Sequence, residues 1–324
     1  MDNQQDNMNQ ELDKKPGWEK ELIEKLALSS LDEQKKARRW GIFFKTLTFA
    51  YLLAILVIAF YPKLKSEMTV GGKKHTAVIN VQGVIAENEA ASAENIIQGL
   101  KNAVKNKATK GIILNINSPG GSPVQSQYVY QKIRDIKEQH PELPIYAVVT
   151  DICASGGYYI ASAADKIYVN QASIIGSIGV IMNGFGFVET MKKVGVERRL
   201  LTAGAHKALL DPFLPLKQDE ARHMQGLLDE VHQQFIDAVK QGRGERLKDS
   251  PDLFSGLVWT GAQGIKLGLA DEIGSVASVA KEVIGAEKIV DFTPQERLLD
   301  RLAGKLGTAF GQAMSSHFNR MTFQ

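Results

Sequence analysis

The sequence predicts an α/β domain with a largely parallel sheet, preceded by one transmembrane helix. Three observations predict it. From Thr76 onward, short apolar runs alternate with amphipathic stretches of helical period; glycine-rich turns follow two of those runs; and residues 40–62 are apolar almost throughout. Repeated strand–helix alternation is the pattern of parallel strands joined by crossover helices.

Composition narrows the function. The 324 residues are 44% hydrophobic and 23% charged, enough to fold a large domain, and the net charge of +3 comes with no basic stripe interleaved with aromatics, so nucleic acid is not an expected partner. Cys153 is the single cysteine, which excludes an internal disulfide and a multi-cysteine zinc site. The six histidines are scattered and form no HExxH pattern, so neither a metal nor a cofactor is expected.

Residues 1–40 form a polar tail with a short amphipathic patch at Trp18, Leu22, Ile23, Leu26 and Leu28. Residues 41–61 then supply the roughly 20 apolar positions a bilayer crossing needs. Lys45 is the one interruption and lies close enough to the end to snorkel. The long tail before the span and the lack of a small-residue cleavage site after it predict an uncleaved anchor. Lys35, Lys36, Arg38 and Arg39 precede the span, but Lys63, Lys65, Lys73 and Lys74 follow it, so charge alone leaves the orientation open.

In chain order, residues 76–86 read as one or two strands, 93–106 as an amphipathic helix and 110–117 as a buried strand ending in the turn Ser118–Gly121. Ser122, Pro123 and Gln125 then suggest a capping box opening a helix to about Gln139. A strand at 144–150 leads through Asp151–Gly157 into a helix, and 166–169 is a short strand. Residues 174–186 are extended, 187–194 helical and 196–203 strand-like. A long helix at 218–241 precedes shorter helices to about 285 and a last strand at 288–292. No internal repeat is visible, so residues 75–292 make one domain, and 293–324 an amphipathic tail with Leu298, Leu302, Leu306, Phe310 and Met314 on one face.

In parallel sheets, sites collect at the carboxyl ends of strands, where both glycine turns lie. Neither turn matches a phosphate-binding fingerprint. Ser155, followed by Gly156 and Gly157 at a strand–helix junction, either caps the helix or presents a nucleophile near its positive end. A serine nucleophile needs a base, and His206 and Lys207 stand side by side among small residues. A histidine would be oriented by an acid such as Asp211 or Asp165; a lysine would need burial or hydrogen bonds that favour its neutral form. Spacing does not choose between them.

The segments NSPGGS (117–122), ASGGYYIASAADKI (154–167), GSIGV (176–180), GAHK (204–207) and VWTGAQGIKLGLADEIG (258–274) together resemble the signal peptide peptidase A family of serine–lysine membrane proteases, in its short single-domain form. The resemblance runs collinearly over most of residues 76–275 and implies a crotonase-like or Clp-protease-like fold. It implies Ser155 as nucleophile, Lys207 as general base, Gly121 and Gly156 as oxyanion donors, and Ser177 as the serine orienting the lysine. It also implies peptide substrates such as remnant signal peptides and unfolded hydrophobic segments, a ring-shaped homo-oligomer, and a catalytic domain outside the bacterial cytoplasmic membrane. Two departures stand out: Cys153 two places before the nucleophile, and Leu209-Leu-Asp-Pro-Phe after the lysine. Rival readings are a catalytically inactive membrane scaffold and, on the same paired-amide logic, a crotonase-type acyl-CoA enzyme.

Overall fold

The structure is a computed structural model and describes residues 18–70 and 73–294. Contacts divide the chain into two compact units, the second running from Val70 to Glu296. In the first, helix α1 spans Trp18–Val70 without interruption. Within it, Glu33–Val57 is long and apolar enough to cross a membrane, and none of that stretch is buried. Its 25 residues are about 38 Å of helix, more than the ~30 Å hydrocarbon core. Thr46 and Thr48 return their hydroxyls to the carbonyls of Ile42 and Phe44, so neither hydroxyl needs a partner outside the helix. The expected polar tail lies outside the described residues up to residue 17, and the expected C-terminal amphipathic tail from residue 295 on.

The second unit is the predicted α/β domain. Strands β1 (His75–Gln82), β2 (Thr109–Ser118) and β3 (Ile145–Ala154) form its centre, all parallel. Along β3, the amino-terminal half pairs with β4 (Lys166–Val169) and the carboxyl-terminal half with β5 (Ile174–Gly176). β6 (Val258–Thr260) closes the β5 edge and is the one antiparallel member. β7 (Glu272–Ile273) follows β4, and β8 (Ile289–Asp291) flanks β1, completing eight strands.

Period-two alternation builds a core on each face. Ala77, Ile79 and Val81 of β1, Ile112, Leu114 and Ile116 of β2, and Ile145, Ala147 and Val149 of β3 belong to the larger cluster. It includes residues of helices α2 (Ala93–Lys105), α3 (Pro123–Gln139), α4 (Gly156–Ser162) and α6 (Gln218–Arg243). Val78, Ile113, Val148 and Tyr168 face the other way, under a π-helical turn at Val279–Val283. Burial on both faces explains the near-continuous apolar runs in the sequence.

Two expectations are corrected. Residues 196–203 form no strand: the apolar side chains that suggested one have no sheet edge to join, and Leu201 is 98% exposed. The capping box at Ser122 is half made. Ser122 Oγ accepts from Gln125 N, but Gln125 Oε1 turns away to accept from Ala93 N at 2.8 Å, joining α3 to the start of α2. The short helix at 187–194 is present as α5 (Val188–Lys193).

The carboxyl-terminal part of the domain is locked by one buried ion pair. Arg243, fully buried at the end of α6, meets Asp271 bidentately at 2.7 and 2.9 Å and donates from Nε to the Gly268 carbonyl. Asp271 also accepts from Ile167 N at the start of β4. Burial alone would raise its carboxyl pKa; the hydrogen bonds and charge of Arg243, the Ile167 N–H and the Arg246 charge outweigh that and hold it below the ordinary range. Removing one partner strands a buried charge, so Asp271→Ala should cost about 3–5 kcal/mol in urea unfolding at neutral pH. Because the folded carboxyl is depressed, its contribution is present above the unfolded carboxylate pKa and is lost as pH falls through the folded value. Wild type and Asp271→Ala should therefore converge in stability toward acid, and parallel unfolding curves across pH check this.

Candidate active site

Ser155 sits where β3 turns into α4, at the carboxyl edge of the sheet. Its backbone is at φ 50°, ψ −122°, a conformation a side-chain-bearing residue adopts only when its surroundings impose it. Its N–H donates to Gly176 O at 2.8 Å, and its carbonyl accepts from Tyr159 N at 2.9 Å in the first turn of α4. Ser155 stands at the N-cap but makes no side-chain capping bond. The helix-cap alternative is therefore not what this hydroxyl does. A sharp strand-to-helix turn with the serine at positive φ is the backbone geometry of a nucleophile elbow.

The turn after β2 packs directly onto this elbow. Ser118 Oγ donates to Gly83 O at 2.6 Å and accepts from Gly120 N at 3.1 Å, which fixes the turn from inside. Gly120, at φ +101°, allows a close approach: a methyl there would lie 2.7 Å from both Gly156 N and Ser155 Cβ. Gly121 forms a bridge with Ile85, using Gly120 O as acceptor and Ser122 N as donor. In such a bridge the central residue's own N–H is not used by the partner strand, and Gly121 N lies 3.2 Å from where a Cβ on Gly156 would sit. The N–H of Gly156, first residue of α4, has no acceptor within its helix. Gly121 and Gly156, neither with a side chain, both line the cavity that opens beside Ser155.

Further polar contacts brace the same edge. Asn117 Nδ2 donates to Asp151 at 2.9 Å and Asn117 Oδ1 accepts from Ile152 N, tying the end of β2 to β3. Cys153 is fully buried and burial pushes its thiol pKa far up, so it is an inert packing residue and not a rival nucleophile. Beside Ser155 opens a cavity of about 110 Å³ lined by Gly121, Pro123, Tyr159, Val180, Val231 and Phe235 among others. Tyr159 and Phe235 stack at 4.8 Å along it. Sequence reasoning missed this apolar wall; its signal was Phe235 on the buried stripe of α6.

Of the other expected site residues, the structure brings Ser177 to the elbow. It follows Gly176, whose carbonyl holds Ser155; it takes φ 52° and donates its N–H to Leu257 O at 2.8 Å. Lys207 is exposed, in a turn where its N–H meets Gly204 O, and lies outside the lining of the Ser155 cavity. His206 is not oriented by Asp211 or Asp165. Asp211 pairs with Arg198 at 2.6 Å and Asp165 with Lys137 at 2.8 Å. His206 Nδ1 instead lies 3.5 Å from Glu220, a residue only 5% exposed that also accepts from Lys217 Nζ at 3.0 Å. The Lys217 hydrogen bond, with a smaller one from His206, keeps the Glu220 carboxyl pKa below its ordinary value despite burial. Among the described residues no group of histidine, cysteine and carboxylate side chains is arranged to hold a metal ion.

Comparison with known proteins adds a family signal. The profile of peptidase family S49 matches residues 137–289, and that of Clp protease matches residues 75–177. The former spans Ser155, Ser177 and Lys207. A putative protease of Synechocystis is 33% identical over 203 residues, covering 63% of this chain and 71% of that protein. A putative signal peptide peptidase SppA of Enterococcus faecium is 30% identical over 228 residues, 68% of this chain and 66% of the relative. A Brucella melitensis protein named as a Na(+)/H(+) antiporter NhaA is 44% identical over 213 residues, 65% of this chain. The chain spans only 29% of that protein's length, and the match carries nothing about ion transport.

The contact between the two glycine turns is the part of the site least tolerant of added volume. Gly120→Ala should push Gly156 N away from the serine and lower the rate of Ser155 acylation by a fluorophosphonate probe about hundredfold, comparable to loss of one oxyanion donor. Thermal unfolding of the same variant separates this local effect from global loss of fold.

Proposed function

The chain belongs to peptidase family S49, the signal peptide peptidase A family, and from that membership we propose that it is a membrane-anchored serine endopeptidase acting through Ser155 and Lys207. The observation that carries the proposal is the strained Ser155 backbone packed against the Gly120–Gly121 turn, with a hydroxyl not used for capping.

In the proposed reaction, neutral Lys207 Nζ takes the Ser155 hydroxyl proton as Oγ bonds to the scissile carbonyl carbon. The N–H groups of Gly121 and Gly156 hold the resulting oxyanion. As the C–N bond breaks, the lysine ammonium gives its proton to the departing amine and an acyl-enzyme remains. Lys207 then accepts a proton from water as the water oxygen attacks the ester carbon; the acyl C–Oγ bond breaks, the carboxylic acid product leaves, and the lysine ammonium returns the proton to Ser155 Oγ. Ser177, placed by the strand that supports Ser155, is the proposed partner orienting the lysine. Since Lys207 is exposed in the single chain, the proposal includes a step that buries its turn against the site. A ring-shaped homo-oligomer, as the family resemblance implies, is the proposed means.

The cavity beside Ser155 favours an apolar substrate side chain of moderate size, consistent with remnant signal peptides and other unfolded hydrophobic segments as substrates. Residues 41–61 are the proposed membrane anchor, within the long apolar helix. The tail before it is placed in the cytoplasm and the catalytic domain on the outer side of the bacterial cytoplasmic membrane.

Purified full-length variants assayed on a hydrophobic peptide test the dyad. Ser155→Ala and Lys207→Ala should each lose at least about a thousandfold in kcat/KM, in the range seen when a unit of nucleophile and base is broken. His206→Ala should lose far less. Wild-type activity should rise toward alkaline pH as the base deprotonates. Full activity in Lys207→Ala, or activity lost only in His206→Ala, overturns the lysine assignment.

A further inference from the structure

The parallel sheet gathers the amino ends of β1 and β2 at one edge, opposite the Ser155 edge. That amino edge is basic. Lys73 and Lys74 lead into β1; Lys105 closes α2; Lys107 lies in the turn before β2; and Lys110 is the second residue of β2. All five are exposed. Backbone bonds place them together: His75 N donates to Ala108 O at 3.0 Å, and His75 pairs with Thr109 in register. Carboxylates also lie at the other strand starts: Glu142 before β3 is exposed and lies 3.6 Å from His140, and three others are matched with lysines. Asp165 pairs with Lys137, Glu272 with Lys166, and Glu287 with Lys281.

We propose that this lysine edge is a docking surface for anionic lipid headgroups, so that the domain rests on the membrane by the amino ends of its strands. The inference rests on the membrane-anchor reading and adds to it. Charge complementarity selects the partner, because a bilayer rich in anionic lipid attracts each nearby lysine. The connection supports it: α1 continues past the apolar stretch to Val70 and β1 begins five positions later at His75, so only a short tether joins this edge to the helix that carries the anchor. A tether that short keeps the edge at high local concentration near the headgroups, so a patch too weak to recruit a free protein is strong enough to orient a tethered one. Nucleic acid fits less well, since no aromatic side chain is interleaved among these lysines to stack on bases.

The test uses the full-length chain in nanodiscs of phosphatidylcholine alone, or of equal parts phosphatidylcholine and phosphatidylglycerol. Backbone hydrogen exchange is read over residues 105–110. Exchange there should be severalfold slower in the anionic discs. The difference should vanish at high salt and in the Lys107→Glu/Lys110→Glu variant, whose Ser155 should still label with a fluorophosphonate at the wild-type rate. Equal exchange in both lipids, or slowing that survives the charge reversal, overturns the docking proposal. Vesicle flotation tells its failure from failure of the anchor. A chain that floats with both lipids but shows no exchange difference is anchored and not docked. One that floats only with anionic vesicles and is released by salt is docked through its lysines and not anchored.

Discussion

The main chain at Ser155 is held at φ 50°, and much of the carboxyl edge of the sheet is organised to keep it there. Such a conformation costs on the order of 1–3 kcal/mol and persists only where neighbours leave no alternative. Here β5 supplies the Gly176 carbonyl that receives the serine N–H, α4 begins on the serine carbonyl, and the Ser118–Gly121 turn closes the remaining side. Support for that frame reaches across the domain. Tyr158, three residues into the same turn and helix, donates its hydroxyl to Leu269 O at 2.7 Å, next to the segment locked by Arg243 and Asp271. A surface ion pair could not do this, because its two side chains are free to separate in water.

Much of the site could be read from the residues because it is local. Strand–helix alternation, the two glycine turns and Ser155 at a junction are short-range patterns, and each appears where the alternation placed it. What was not legible involves partners far apart in sequence. Gln125 looked like half of a capping box, but tertiary packing gave its carbonyl oxygen to Ala93 N. Residues 196–203 carry a strand pattern, yet a strand exists only with a neighbour, and β6 already occupies the sheet edge beside β5. The acid facing His206 was expected at Asp211 or Asp165 and is instead on the next helix, as Glu220.

The lysine assignment stands differently from the serine one. Ser155, Gly121, Gly156 and Ser177 are positioned by the hydrogen-bonded sheet and its turns, so one folded chain suffices to assemble them. The turn carrying Lys207 is fastened instead to the start of α6, through His206 and Lys217 on Glu220. Around it lie exposed apolar side chains, among them Ile181, Phe185 and Leu201. On the proposed reading, a base on such a segment would be set by whatever covers that surface, separately from the folding of the elbow.

The polarity of the sheet also sets a distance. β1 enters at the edge nearest the tether and runs eight residues toward the edge that holds the nucleophile, about 26 Å at the usual rise per residue. In the proposed docked arrangement, with the amino edge on the lipid, a bond cut at Ser155 would lie roughly that far above the headgroups. A peptide still fixed in the bilayer at one end must therefore have a comparable length of extended chain clear of the lipid before it meets Ser155. Under the proposed docking, the fold would act as a ruler that admits segments already clear of the bilayer and leaves short exposed loops out of reach.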